Sequence, residues 1–150
     1  MATFQWVILC ERAIMEDTAK TISIVSILEN ISLPAPNEEF LKQNQEGAAG
    51  PLVPLRFFVV QQWARSKTKV GERLASRVRL VGPKGQFALQ EYVIDLTASP
   101  RARVIGQVIG FPLQGPGVYK CIIEARTKAK WKKFGDTEFT VSYTNPQRKH

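Results

Sequence analysis

Few residues of this chain could do chemistry, and their positions argue against catalysis. The single histidine, His150, provides no pair for a Ser-His or Cys-His nucleophile and no set for a multi-histidine metal site. Cys10 and Cys121 lie within apolar, strand-like patterns, where a thiol is usually unreactive. We therefore predict no catalytic, cofactor-binding or metal-binding residues.

Three pairs of acidic residues are the candidates for acid–base catalysis. A carboxylate pair can do this work only if its environment separates the two pKa values. All three pairs fall in loop-like or solvated stretches: Glu16–Asp17, Glu38–Glu39 and Asp136–Glu138. We interpret them as surface acids, so an enzyme of unknown type is the weakest of three functional hypotheses.

The strongest functional pattern is a basic stretch with one aromatic residue near the end of the sequence. It consists of Arg126, Lys128, Lys130, Trp131, Lys132 and Lys133. Lysines in alternation can grip a phosphate backbone while an aromatic ring stacks on a base. If the stretch is a hairpin, Lys128, Lys130 and Lys132 share one face. A second cluster, Arg65, Lys67, Lys69 and Arg73, cannot be placed beside the first from sequence.

A structural interpretation of the same residues competes with the binding interpretation. Lysines at a sheet edge prevent edge-to-edge aggregation, and Trp131 would then cover the core. The sequence favours this alternative, because charge runs usually decorate solvated faces. The chain has no RNA-recognition aromatic pair, zinc knuckle or helix-turn-helix pattern that would support nucleic-acid binding.

Composition indicates one globular domain with an attraction for polyanions. The 150 residues carry a formal net charge of +8, with 44% hydrophobic and 23% charged residues. No apolar run approaches the about 20 residues of a membrane helix, and no basic region precedes the first apolar segment. We expect a cytoplasmic protein with one domain over residues 1–143 and a frayed basic tail over 144–150. Its two cysteines are expected to be reduced and buried, although a Cys10–Cys121 bridge between facing strands stays open.

The elements that must position these residues are β-strands. Alternation of apolar and polar residues predicts about eight strands, with turns every ten or so residues in the second half. The predicted strands span 4–11, 21–28, 52–64, 74–80, 87–96, 103–109, 118–125 and 139–143. A phase slip near Gln90–Glu91 predicts a bulge, and residues 126–133 are predicted to form an exposed turn.

Residues 30–52 read as an insertion, because prolines and glycines interrupt them repeatedly. Asn37 followed by two acids has the pattern of a helix start, which predicts a short helix over 37–42.

The corner before the strand at 118–125 carries the clearest fold pattern. Gly117 is followed by Tyr119, two residues before Cys121. In immunoglobulin-like sandwiches a tyrosine in this place ties the incoming loop down through its hydroxyl. The predicted fold is an all-β, immunoglobulin-like antiparallel β-sandwich of about 7–9 strands with one or two short helices in loops.

Three segments together resemble a bacterial family of small, stand-alone proteins of unknown function. They are the opening FQWVILCERAIMEDTAKTISIVSILENISLP, the middle ERLASRVRLVGPKGQ and the corner GFPLQGPGVYKCIIEA. The resemblance covers most of the chain except the 37–52 insertion and the basic tail, and the lysine-rich segment 126–133 is not expected of the whole family. It implies an immunoglobulin-like sandwich in a bacterial cytoplasm and implies no activity.

These observations rank the functions. The first hypothesis is a non-catalytic protein-interaction or structural module with a protein partner of unknown identity. The second is a nucleic-acid or other polyanion binder that uses the basic stretch, and the third is the enzyme. A homodimer is compatible with the sequence if the strand over Leu55–Trp63 lies at a sheet edge.

Overall fold

The computed structural model describes residues 2–16, 18, 21–39, 52–66 and 71–144. Within these ranges the chain forms β1 (Thr3–Glu16), β2 (Thr21–Ile27), β3 (Asn30–Pro34), β4 (Leu52–Ala64), β5 (Arg73–Gly82), β6 (Gly85–Asp95), β7 (Arg101–Pro112), β8 (Gly117–Thr127) and β9 (Lys130–Thr144). They form a four-stranded sheet, β2-β1-β4-β7, and a five-stranded sheet, β3-β9-β8-β5-β6. The prediction of an all-β sandwich with seven to nine strands is confirmed.

The inner faces of the two sheets meet in a cluster of aromatic rings. Phe57 of β4 and Phe111 of β7 pack against Tyr119 and Phe139, which β8 and β9 contribute from the other sheet. Neighbouring ring centroids lie 5.3–6.3 Å apart, mostly edge to face, which is the favourable geometry for aromatic pairs. All four side chains are buried, so this cluster joins the two sheets.

Tyr119 also fixes the corner that leads into β8. Its hydroxyl donates to the Gly115 carbonyl at 2.8 Å and accepts from the Gln114 N–H at 2.9 Å. Gln114 in turn accepts a hydrogen bond from the Lys84 N–H at 2.9 Å, which ties the corner to the β5–β6 turn. The predicted role of this tyrosine is confirmed; the immunoglobulin-like label stays a prediction.

Strand β3 is a correction to the predicted insertion over 30–52. Residues Asn30–Pro34 pair in parallel with the last residues of β9, from Asn30 opposite Thr140 to Pro34 opposite Thr144. Pro34 ends the strand at an edge of the sheet, where a missing N–H is tolerated. The pairing is the one parallel contact among the described strands, so the sandwich is not wholly antiparallel.

One further prediction about the strands was wrong, and the condition set for pairing through Leu55–Trp63 is not met. The bulge of β6 lies at Phe87, because the register shifts between Leu80 opposite Ala88 and Val81 opposite Gln86, and it is regular through Gln90 and Glu91. Strand β4 is not an edge strand but lies between β1 and β7, so Leu55–Trp63 cannot pair with a second copy.

The predicted turn over 126–133 is instead the tip of a tight hairpin. Strand β8 continues to Thr127, which pairs with Lys130 of β9, so Lys128 and Ala129 alone form the turn. Both residues have positive φ angles, 48° and 66°. Positive φ at both central residues is the geometry of a type I′ turn, whose twist matches that of the flanking strands.

Some predictions fall on residues outside the described ranges. Glu38 and Glu39 are helical, but residues 40–42 of the predicted helix lie outside. Lys67, Lys69 and residues 145–150 of the predicted tail also lie outside. In the part of the chain that is described, no helix is long and apolar enough to cross a membrane.

Replacing Tyr119 with Phe tests the corner. The Gln114 N–H and the Gly115 carbonyl would lose their partner, so we expect the free energy of unfolding to fall by about 1–3 kcal/mol. Urea denaturation of Tyr119→Phe measures the loss. Tyr143→Phe is the matched control on β9 and should cost less than about 0.5 kcal/mol. Equal losses in the two variants would contradict the assigned role.

Candidate polyanion-binding surface

The β8–β9 hairpin divides the predicted basic residues between two faces. Directly opposite residues of antiparallel strands project from the same face. Lys132 lies opposite the buried Ala125, so Lys132 and Lys130 project on the inner side, beyond the end of the core. Trp131 and Arg126 lie opposite each other on the outer face, as do Lys133 and Glu124. The predicted common face therefore holds Lys130 and Lys132, whereas Lys128 lies in the turn.

Four cations of this hairpin carry uncompensated charge. Arg126, Lys128, Lys130 and Lys132 are exposed, and none has an acidic partner within the described ranges. They lie within seven positions of each other around a two-residue turn. This is the part of the hairpin that an anion can reach without breaking an existing ion pair.

The other two predicted residues already have partners. Lys133 forms an ion pair with Asp136, and this hydrogen bond lowers the pKa of the Asp136 carboxyl. The Arg77 guanidinium lies 4.3 Å from the centroid of the Trp131 ring, a cation–π contact on the outer face. The structural alternative predicted that Trp131 covers the core. Trp131 instead lies on the outer face, and Arg77 occupies one face of its ring.

Glu124 holds Arg77 in this place. Its carboxylate accepts from Arg77 Nε at 2.5 Å and from Arg79 Nη2 at 3.0 Å. Glu124 is only 8% exposed. Burial raises its pKa, but the hydrogen bonds from the two arginines outweigh burial, so the net pKa is lowered. The cluster fixes the outer face next to the hairpin.

The rest of this outer face is also charge-matched. Arg73 Nη2 lies 2.8 Å from Asp95 Oδ2, and Lys120 Nζ lies 4.0 Å from Glu138 Oε2. Hydrogen bonds from the Thr97 hydroxyl and N–H, followed by that from Arg73, lower the pKa of Asp95 to about 2. Along this face the arginines of β5 and Lys120 are thus paired with carboxylates, whereas the exposed cations of the hairpin tip have no acidic partner in the described ranges.

The sandwich brings the second basic cluster to the same end as the hairpin. Strand β4 ends at Ala64, opposite Arg101 at the start of β7. The Trp63 ring packs against Phe134 of β9 at 5.3 Å between centroids, so the start of β9 and the end of β4 share one end of the sandwich. Arg65 follows directly, and Arg73 begins β5 at this end too. Of the predicted second cluster, Arg65 and Arg73 are therefore placed near the hairpin.

A cleft at this end was not found from sequence. It has a volume of about 830 Å³ and is lined by Gln5, Met15, Ala64, Arg65, Ser99, Pro100, Arg101 and Arg103. Along a straight strand Gln5 and Met15 would be about 33 Å apart. Both line the cleft, so β1 curls to bring them together. The alternation of Arg101 and Arg103 was a visible signal, but only strand pairing places Arg65 beside them. We call Arg65, Arg101 and Arg103 the arginine cleft. We call these three arginines and the four hairpin cations (Arg126, Lys128, Lys130 and Lys132) together the basic end.

Two arginines of the cleft are held by hydrogen bonds to neutral groups. Arg65 donates from Nε and Nη2 to the Leu96 carbonyl, at 3.1 and 2.6 Å, and from Nη2 to the Thr97 carbonyl at 3.0 Å. Arg103 Nε donates to Gln62 Oε1 at 3.0 Å, and Gln62 Nε2 donates to Gln5 Oε1 at 2.7 Å. These contacts orient the two guanidinium groups.

Both cysteine thiols are buried, which makes them unreactive. Cys10 lies opposite Phe58 on the outer side of the four-stranded sheet, whereas Cys121 lies on the inner side of the other sheet. A whole sheet separates them, which excludes the Cys10–Cys121 bridge that the sequence left open. Burial raises the pKa of Cys10, and it raises the pKa of Cys121 to about 12. Among the described residues, no group of three or more His, Cys, Asp or Glu could hold a metal ion.

Comparison with known proteins adds a distant structural likeness. No protein-family model matches the chain, and no curated protein matches it. Alkylpurine DNA glycosylase AlkC of Pseudomonas fluorescens, solved bound to DNA containing an abasic site analogue, matches at a TM-score of 0.49 and 11% identity, over 93% of this chain and 30% of that one. The PmoD soluble domain of Methylocystis sp. ATCC 49242 (Rockwell) matches at a TM-score of 0.35 and 8% identity, over 95% of this chain and 98% of that one. This chain spans about 30% of the glycosylase chain, and neither likeness carries an argument about function.

The raised thiol pKa values lead to a chemical prediction. Both cysteines are buried and protonated at neutral pH, so neither should react with a disulfide reagent such as DTNB at pH 8 in the folded protein. Both should react at once in denaturant, which serves as the control. Stoichiometric release of the coloured thiolate from the native protein would contradict this placement.

Replacing Glu124 with Gln tests the arginine–carboxylate cluster through its pH dependence. Because the folded pKa lies below the usual 4.5, the carboxylate stabilises the fold above about pH 4.5, and this contribution is lost as the pH falls. We expect Glu124→Gln to lower the free energy of unfolding by about 1–3 kcal/mol at pH 7. The difference in the free energy of unfolding between Glu124→Gln and the wild type, measured by urea denaturation, should become smaller between pH 4.5 and pH 3.

Glu138→Gln is the control for this prediction. Its pair with Lys120 is exposed, so the loss at pH 7 should stay below about 1 kcal/mol. A gap between Glu124→Gln and the wild type that is constant from pH 7 to pH 3 would contradict the role of Glu124.

Proposed function

We propose that this protein is a non-catalytic binding module that binds a polyanion, nucleic acid above all, with its basic end. The observation that carries the proposal is the placement of Arg126, Lys128, Lys130 and Lys132. These four exposed cations have no acidic partner in the described ranges, and they lie at the same end of the sandwich as the arginine cleft.

Electrostatics makes this end the natural site of contact. Cations already paired with carboxylates gain little from a phosphate, because the new contact replaces an old one. Unpaired cations release condensed counterions from the nucleic acid, and affinity then falls linearly with salt on a log–log plot. If all four hairpin cations contact phosphates, the slope on a single strand would be about −3.

The state of the acids and thiols supports a binding role over a catalytic one. A general acid near neutral pH needs a raised carboxyl pKa, whereas the pKa values of Asp95, Glu124 and Asp136 are lowered. A cysteine nucleophile needs a lowered thiol pKa, whereas those of Cys10 and Cys121 are raised.

Binding of a protein partner is the second candidate function, and the edge strand β6 favours it. Among the described strands β6 is the last one of its sheet, so its outer side can accept an added strand. Leu89 is 47% and Val93 69% exposed on its outer face. Replacing Val93 with Lys would abolish such a contact and leave oligonucleotide binding intact, which separates the two functions.

Charge reversal of the hairpin tests the proposal. The variant Lys128→Glu/Lys130→Glu/Lys132→Glu should lower affinity for a fluorescent single-stranded 12-mer at least tenfold at low salt, and should reduce the salt slope by about 2. Fluorescence anisotropy over a salt series measures both quantities.

The control variant changes the net charge equally at the other end of the sandwich. Arg12, Arg56 and Lys84 are exposed, and Arg12→Glu/Arg56→Glu/Lys84→Glu should lower affinity much less than the hairpin variant. Equal losses of affinity in the two variants would mean that binding depends on the net charge of the protein and not on the hairpin. If the affinity of the wild-type protein did not depend on the salt concentration, the proposal would be contradicted.

A further inference from the structure

We propose that the outer edge of β6 binds an extended segment of a partner protein in which a basic residue lies between two apolar residues on one face. The inference rests on the second candidate function and names the chemistry of the partner. It concerns a different surface from the basic end, so it does not depend on the binding of a polyanion.

Strand β6 offers a regular backbone edge for an added strand. Among the described strands it pairs with β5 alone and is the last one of its sheet. The pairing is regular from Ala88 opposite Leu80 to Asp95 opposite Arg73, because the register shift lies before Ala88. An extended peptide joins such an edge through main-chain hydrogen bonds, and pockets for its side chains provide the specificity.

The outer face of this edge alternates apolar and acidic side chains. Leu89, Glu91, Val93 and Asp95 follow one another on it, on the same side as the arginines of β5. Leu89 is 47% and Val93 is 69% exposed. Asp95 pairs with Arg73, whereas Glu91 is exposed and has no basic partner in the described ranges. An added strand therefore meets one unpaired carboxylate between two exposed apolar side chains.

These side chains define the sequence that an added strand needs. Directly opposite residues of antiparallel strands contact each other on one face, and apolar pairs or opposite charges stabilise the contact. A Lys or Arg of the partner would lie opposite Glu91, and apolar residues two positions away on each side would lie opposite Leu89 and Val93. A phosphate backbone is repelled here, because the charged residues of β6 are Glu91 and Asp95.

The inner side of the same edge has room for an apolar side chain. Every second residue of an added strand would face inward. A cleft of about 410 Å³ lies between β6 and β7, and its lining, which has no ionisable side chain, includes Ala88, Val108 and the 70% exposed Ile109. Near Tyr92 the two strands come together, because its hydroxyl leaves no room for a Cβ on Gly106. The partner residue opposite Ala88 is therefore the one that would enter the cleft.

A second copy of β6 fits this edge poorly. The strand Gly85–Asp95 contains no Lys or Arg, so two copies that paired along it would leave Glu91 without a cation. A pair centred on Glu91 would place two carboxylates opposite each other, and a pair centred on Val93 would place Glu91 opposite the second Asp95. Like charges in direct opposition are destabilising. Glu91 thus works against self-association, which is the usual hazard of an edge strand, and favours a basic partner.

The first arm of the test titrates two synthetic peptides into ¹⁵N-labelled protein. The basic peptide is acetyl-Thr-Val-Ser-Lys-Thr-Val-Leu-amide, and the acidic control peptide has Glu in place of Lys. In an antiparallel pairing with Lys opposite Glu91, the two Val residues lie opposite Val93 and Leu89, and Leu lies opposite Ala88. We expect amide shifts confined to residues 87–95 and 107–110, and about fivefold weaker binding of the acidic peptide.

The second arm reverses the charge of the edge. Glu91→Lys should bind the acidic peptide about fivefold more tightly than the basic peptide. The matched control Glu11→Lys changes the net charge equally at an exposed position of the other sheet, and it should keep the preference for the basic peptide. Both variants should still bind the single-stranded 12-mer, so the two surfaces are tested separately.

The outcomes decide the proposal independently of the basic end. Equal binding of the two peptides by the wild type, shifts away from the β6 edge, or no shifts at millimolar peptide would overturn it, whatever the oligonucleotide does. A reversed preference in Glu11→Lys as well as in Glu91→Lys would reduce the selectivity to net charge and overturn it too. If the shifts at 87–95 grew with protein concentration alone, with a doubled mass in sedimentation, the partner strand would be overturned and the edge assigned to a second copy.

Discussion

The pairing of β8 with β9 is the contact on which the rest of the structure depends. On its inner side β8 presents Tyr119, Cys121, Ile123 and Ala125, all fully buried, and these contribute to the core. On its outer side Glu124 gathers Arg77 and Arg79. A slip of one residue would exchange the two sets, placing Glu124 in the core and the tyrosine corner in water. The same register fixes the two-residue turn and therefore the direction in which the lysines of the tip project.

The fold places the net charge of +8 unevenly. Along the outer face of the five-stranded sheet, arginines and lysines alternate with carboxylates, and their attraction is satisfied within the protein. The exposed cations of the hairpin tip, Arg126, Lys128, Lys130 and Lys132, have no acidic partner in the described ranges. Among the described strands, the first half of β9 pairs with β8 alone, because β3 reaches only Thr140–Thr144. Lysines that protect this edge from another strand therefore also remain exposed to a polyanion. The exposed lysines of the hairpin are thus compatible with both interpretations of the sequence, protection of the sheet edge and binding of a polyanion.

What could be predicted from sequence was local, and what could not depended on distant pairing. The corner at Tyr119 was predictable because its partners lie within five residues, and most strands were predictable from alternation. Strand β3 was missed because its partner, β9, is about 110 positions away and Pro34 resembles a loop signal. The hairpin tip was read as a longer turn because Lys128 and Ala129 lack the usual Asn-Gly pattern at positive φ. The arginine cleft exists only because Ala64 pairs with Arg101, which no local pattern reveals.

The central claim is that a polyanion contacts the basic end and no other surface. Amide chemical-shift mapping of the wild-type protein with a single-stranded oligonucleotide at low salt tests it most directly. We predict shifts confined to residues 64–66, 99–103 and 126–133, which reverse as salt is added because counterion release drives the binding. Shifts centred on the opposite end, at the turn between β5 and β6 or around Arg56, would contradict the account, as would an unchanged spectrum.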